Sequence, residues 1–116
     1  MKINVLDSYE DLSMLAADIL VSQLEEKKDL LFCAATGNSP DGVYSLITEE
    51  YQQRPELFDG LKVIKLDEWG GVPMEDPGTC ESYLQSRLIK PLLLDSSRYI
   101  SFQSDPEDPA LECKRI

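Results

Sequence analysis

Two short stretches of this chain carry side chains of the kinds that move protons and hold anions. The first is Leu66-Asp67-Glu68-Trp69-Gly70-Gly71, where an apolar run ends in two adjacent carboxylates. An ordinary aspartate is ionised at neutral pH and can accept a proton, which makes Asp67 a candidate general base. Adjacent side chains on an extended backbone point to opposite faces, so one acid of the pair reaches a given ligand more directly than the other. We assign Asp67 to proton transfer. Glu68 is placed in the substrate-binding set, although an ion pair or backbone hydrogen bonds would suit it as well. The second stretch is Ala34-Ala35-Thr36-Gly37-Asn38-Ser39-Pro40. Thr36, Gly37, Asn38 and Ser39 offer hydroxyls, a glycine that permits close backbone approach, and the start of a helix, which together suit a phosphate.

Each stretch also has a plainer reading. Thr36 to Pro40 is equally an ordinary strand-to-helix turn with Ser39 as N-cap and Pro40 as first helical residue. It is neither a P-loop nor a G-x-G-x-x-G dinucleotide turn. Asp67 and Glu68 are equally a strand end with two solvated acids. Trp69 can wall a pocket, but packing is its simpler role. Tyr44, Tyr51 and Tyr83 stand at helical spacing and read as core, and Lys65 reads as an exposed strand lysine.

The chemistry open to these residues is narrow because the chain contains no histidine. That removes Ser-His-Asp and Cys-His catalysis and the commonest metal ligand, leaving carboxylates, lysines and hydroxyls. No metal set with recognisable spacing is present, so a two-acid metal site is not expected. The formal charge of −11 argues against nucleic acid, whose backbone calls for clustered Lys and Arg. A small anion is not excluded, since backbone N–H groups can hold it. Cys33, Cys80 and Cys113 are odd in number and lack C-x-x-C spacing, so reduced thiols are expected. No apolar run approaches the roughly 20 residues needed to cross a bilayer, and Met1 to Val5 contain no signal-peptide core. A cytoplasmic protein that meets no membrane is expected, and a homo-oligomer is compatible with it.

These residues need a frame that brings them to one edge. At 116 residues, of which 42% are hydrophobic and 28% charged, the chain suits one α/β domain spanning 1–116. Ile3 to Leu6 reads as a strand. Ser8 opens a helix whose apolar positions are Leu12, Leu15, Ala16, Ile19, Leu20 and Leu24. Leu30 to Ala35 is continuously apolar, as in a strand covered on both faces. Val43, Tyr44, Ile47 and Tyr51 form the stripe of a second helix that ends near Arg54-Pro55. Lys62 to Leu66 is the central strand, residues 69–78 a loop, Thr79 the cap of a third helix, and Tyr99 to Phe102 a fourth strand. Asp108-Pro109 opens a last helix. The order β-α-β-α-β-α-β plus a helix stub predicts a three-layer, Rossmann-like parallel sheet with helices on both faces. Ligands of such sheets sit outside the carboxyl ends of the strands, where both stretches lie.

Together these segments resemble the glucosamine-6-phosphate deaminase/isomerase family, which includes the 6-phosphogluconolactonases. Cys33-Ala34-Ala35-Thr36-Gly37-Asn38-Ser39-Pro40 is similar to its phosphate loop, often T-G-G-T-P or S-G-G-S-T-P. Val63-Ile64-Lys65-Leu66-Asp67-Glu68-Trp69 resembles its strand ending in Asp-Glu-aromatic. With Pro77-Gly78-Thr79-Cys80-Glu81, it is especially like the galactosamine-6-phosphate isomerase branch, whereas lactonases typically carry Asp-Glu-Arg. The resemblance implies a sugar-phosphate partner held by Thr36, Gly37, Asn38 and Ser39. It implies Asp67 as the base that moves a proton between C1 and C2 of an open-chain amino sugar, giving a ketose 6-phosphate and ammonia without a cofactor. Family members run to about twice this length, and their second half carries a G-N-D-G-H-type segment thought to open the sugar ring. The chain is therefore expected to be an N-terminal portion with little activity alone. A lactonase-type hydrolase and a non-catalytic sugar-phosphate-binding module are the alternatives.

Overall fold

The computed structural model describes residues 3–116. Helix α1 (Tyr9–Glu26) leads into β1 (Leu31–Ala34), α2 (Asn38–Gln53) and a 3-10 turn (Pro55–Phe58). Then come β2 (Lys62–Lys65), α3 (Cys80–Leu84), which runs on through a π-helical turn (Gln85–Ile89), β3 (Tyr99–Ile100) and α4 (Pro109–Arg115). The three strands form a parallel sheet in the order β1-β2-β3. The α/β class and parallel sheet expected from the alternation are present.

The expected first strand is not. Ile3 to Leu6 adopts no regular structure, and Val5 is 88% exposed. A strand needs a neighbour for its N–H and C=O groups, and no described strand pairs with this segment. Helix α1 begins where predicted, with the Ser8 hydroxyl accepting from the Asp11 N–H. Its buried stripe is Ser13, Ala17, Leu20 and Leu24, however, while Leu12 and Ile19 are exposed. The apolar spacing was helical, but the two candidate faces of α1 differ by a small rotation, and α2 selects the one that packs.

One apolar cluster joins Ala17, Leu20 and Leu24 of α1, Tyr44 and Ile47 of α2, and Leu84 and Leu88 to Ala34 and Val63 of the sheet. Adjacent strands added in one direction with right-handed crossovers place their connecting helices on one side. The other side carries Leu31, 52% exposed, and exposed Cys33, so β1 is not covered on both faces as its apolar run suggested. Gly60 lets the turn before β2 lie against the one before β1. A Cβ there would come within 2.2 Å of the Lys28 carbonyl oxygen, and the next strand begins with Lys62 N–H donating to Leu30.

Candidate active site at the carboxyl ends of β1 and β2

The register of β1 and β2 brings the two chemical stretches to one edge. Ala34 pairs with Lys65, and the ladder continues one bond further, with Leu66 N–H donating to the Ala34 carbonyl at 3.0 Å. Thr36 and Asp67 each lie two residues past that pair, so both leave the sheet at the same end on neighbouring strands. Paired positions on neighbouring strands are about 5 Å apart.

The Thr36 turn is held from beneath by aromatic hydroxyls. Tyr44 OH donates to the Ala35 carbonyl at 2.5 Å and Tyr83 OH to the Gly37 carbonyl at 2.7 Å. Tyr9 OH donates to the Asn38 carbonyl and accepts from the Gly42 N–H, clasping the first turn of α2. Thr36 Oγ1 donates to Cys80 Sγ at 3.4 Å. The tyrosines read as core are buried or half-buried, and Tyr44 and Tyr83 also fix the shape of the turn. Burial, followed by the nearby Asp41 carboxylate, pushes the Tyr83 hydroxyl up to about 12, so it stays a donor at neutral pH. The cap of α2 is Gly37, not Ser39, with φ 101° and ψ −171° and no side-chain capping bond. That backbone region is essentially reserved for glycine. Asn38 and Ser39 fall in the first turn, exposed beside Gly37. Among the described residues no side chain caps α2 at Gly37, which leaves that helix start open to an anion.

Asp67 is exposed, and among the described residues its carboxylate makes no hydrogen bond. Glu68 is its opposite. Its side chain is 3% exposed. Oε1 accepts from the N–H groups of Trp69 (2.9 Å) and Cys80 (2.8 Å), and Oε2 from Glu81 N–H (2.9 Å) and Lys65 Nζ (2.6 Å). A carboxylate has about four acceptor positions, so protein donors saturate this one. Of the two roles open to Glu68 in the sequence, ion pair and backbone hydrogen bonds are the ones its carboxylate fills. Burial alone would raise its pKa. The Lys65 ammonium and the three backbone donors outweigh that and hold the carboxyl below the usual glutamate range.

Lys65 overturns its reading as an exposed lysine, since its side chain is 0% exposed. Besides Glu68 it donates to Glu81 Oε2 at 3.2 Å and to the Phe102 carbonyl at 2.8 Å. Glu81 also accepts from Tyr99 OH, Ser101 OH and Gln85 Nε2. Burial opposes its ionisation, but the bonds from Ser101, Gln85 and Tyr99, with Lys65 nearby, keep it lowered too. A period-2 signal was available in the sequence: Lys65 shares the strand face of buried Val63. Trp69 was expected to pack and is instead 67% exposed. The loop after Asp67 is pinned by Ser104, which sequence reasoning did not single out. Its carbonyl accepts from Gly71 N–H at 2.7 Å, and its hydroxyl donates to the Val72 carbonyl at 2.5 Å.

A cavity of about 470 Å³ opens beside Asp67, between the Gly70-Gly71 loop, Phe102 and α4. The Thr36 turn does not line it. Asn38 faces a separate shallow depression with Tyr9 and Asp41. Among the described residues no group of three or more Cys, Asp or Glu side chains is arranged to hold a metal ion, and no helix is long and apolar enough to cross a membrane.

No family model matches the chain. It is 36% identical over 110 residues to AgaI, a candidate deaminase of Escherichia coli (strain K12), covering 95% of this chain and 43% of that protein. It is 30% identical over 115 residues to glucosamine-6-phosphate deaminase 1 of Bacillus subtilis (strain 168), covering 99% and 48%. Among solved structures, a monomeric glucosamine-6-phosphate deaminase of the NagB superfamily superposes with a TM-score of 0.90 at 30% identity, over 99% of this chain and 48% of that one. A 6-phosphogluconolactonase from Trypanosoma cruzi gives 0.70 at 19% identity over 87% and 39%, a likeness of fold. The chain spans about half the length of the curated relatives it matches.

Proposed function

Because the chain belongs to the glucosamine-6-phosphate deaminase family, we propose that it carries the phosphate turn and the general base of an amino-sugar-6-phosphate isomerase/deaminase. The observation that supports this most is the Ala34–Lys65 pairing, which sets a glycine-capped helix start and an aspartate without hydrogen-bond partners among the described residues at the same ligand end of a parallel sheet. The sugar phosphate lies against Thr36, Gly37, Asn38 and Ser39, where backbone N–H groups and the start of α2 meet its charge. Glucosamine 6-phosphate and galactosamine 6-phosphate both fit this chemistry.

With the sugar anchored by its phosphate, Asp67 takes the proton from C2 of the open-chain 2-amino aldose. The electrons left on C2 form an enolamine with C1 as the carbonyl oxygen O1 takes a proton from the substrate's own 2-ammonium group, and Asp67 returns the C2 proton to C1. The resulting C2 imine takes up water and releases ammonia, leaving the ketose 6-phosphate. A base working between adjacent carbons needs exposure and freedom from other partners, and among the described residues Asp67 has both. The chain has no histidine, so ring opening is not assigned to any of its residues, and net deamination by the chain alone is expected to be slow.

The test bypasses that step. Fructose 6-phosphate with ammonium in D2O gives the open-chain imine without an aldose ring to open. Deuterium appearing at C1, and lost in Asp67→Asn, is the expected result. Hydrolysis of 6-phosphogluconolactone with no exchange at C1 would move the protein to the lactonase reading. Binding with neither reaction would make it a sugar-phosphate-binding module.

A further inference from the structure

The side chains of Lys65 and Glu68 are buried, yet the pair joins the exit of β2, the start of α3 and the segment past β3 around Asp67. We infer that Lys65 and Glu68 are positioning residues that fix the Asp67 carboxylate by tying the exits of β2 and β3 to the start of α3. This inference rests on the reaction proposed above.

Asp67 sits in the chain between Leu66, whose N–H is the last bond of the ladder, and Glu68, whose carboxylate is held by four donors. Its own side chain is exposed and makes no hydrogen bond among the described residues, so its position must come from the backbone on either side. On the upstream side that backbone is fixed by β1. On the downstream side it is fixed through Glu68, which accepts from Cys80 and Glu81 N–H at the first turn of α3. Lys65 supplies the third tie, to the Phe102 carbonyl past β3. Phe102 and the Asp67 loop are walls of the same cavity, so the one ammonium group fixes the distance between them.

Charge explains why a lysine is used. Glu68 and Glu81 are both drawn in around α3, and without a cation between them two carboxylates would repel in a site shielded from water. Lys65 Nζ reaches Glu68, Glu81 and Phe102 together, satisfying its three N–H donors. A neutral side chain of the same length would fill the space but release the loop. Misplacing a reacting group by about 1 Å can cost on the order of 100-fold in rate.

The experiment compares wild type with Glu68→Gln and Lys65→Met, reading amide hydrogen exchange and C1 deuterium incorporation into fructose 6-phosphate with ammonium. Both variants are expected to lose protection selectively at the N–H groups of Trp69, Cys80 and Glu81, while the core of α2 keeps its own. In the same variants kcat for C1 exchange should fall about 10- to 100-fold with KM within about 3-fold of wild type. Unmoved kcat, or protection that falls evenly through the chain, overturns the inference and leaves the reaction standing. If wild type exchanges no deuterium, the reaction fails instead, and the local protection pattern alone decides the positioning role. Failure of one variant to fold leaves the other to carry both readouts, and failure of both would mark the pair as a structural ion pair only.

Discussion

Ala34 and Lys65 are partners in parallel register at the carboxyl ends of β1 and β2. That pairing sends Thr36 and Asp67 off the same end of two neighbouring strands. It also directs Lys65 to the core face, where its charge serves the loop that carries Asp67 and not the solvent.

Asp67→Asn is expected to lower C1 exchange by about 10²- to 10⁴-fold, the usual range for loss of a general base. Because the side chain is exposed and makes no hydrogen bond among the described residues, the urea midpoint should stay within error of wild type. A variant that loses stability and activity together would point to a structural role for this acid.

Gly37→Ala places an L-residue at φ 101°, ψ −171°. No atom lies within 4 Å of the added Cβ, so the cost is one of backbone strain alone, about 1–3 kcal/mol. Equilibrium urea unfolding should show that loss, and relaxation of the turn should weaken sugar-phosphate binding measured by calorimetry. Retained binding at full strength would separate the turn from the phosphate.

Gly60→Ala tests a different constraint. Its Cβ would meet the Lys28 carbonyl at 2.2 Å, and backbone atoms cannot rotate out of the way. Overpacking of this kind costs roughly 1–3 kcal/mol or more. The denaturation midpoint should fall by at least as much as for Gly37→Ala, without any effect on which sugar phosphate binds.

Acid should loosen the Asp67 loop before the core. Glu68 and Glu81 have folded pKa values below their unfolded ones, so their stabilisation is complete above the ordinary glutamate range and is lost as pH falls through the lowered values. Amide protection at Cys80 and Glu81 should drop in that acidic window. In Glu68→Gln the corresponding part of the stability curve should flatten, as checked by urea unfolding at a series of pH values.

The sequence by itself determined the alternation of strands and helices, because apolar runs and the caps Ser8, Thr79 and Asp108 are local signals that the backbone obeys locally. It also located Asp67 and the Thr36 turn, since the order of the segments already put both at strand ends. It placed Glu68 with the substrate and Trp69 in the packing, yet Glu68 is drawn inward and Trp69 is exposed, because whether a side chain turns inward depends on what packs behind it. The burial of Lys65 and the open face of β1 are properties of register and of which helices cover which side. The missing strand at Ile3 to Leu6 shows the same dependence, because a strand exists only where a second strand accepts its hydrogen bonds. Tertiary structure alone decided these points, since each turns on a neighbour distant in sequence: Glu81 and Phe102 for Lys65, α3 for Glu68, and the pairing of Ala34 with Lys65 for the site as a whole.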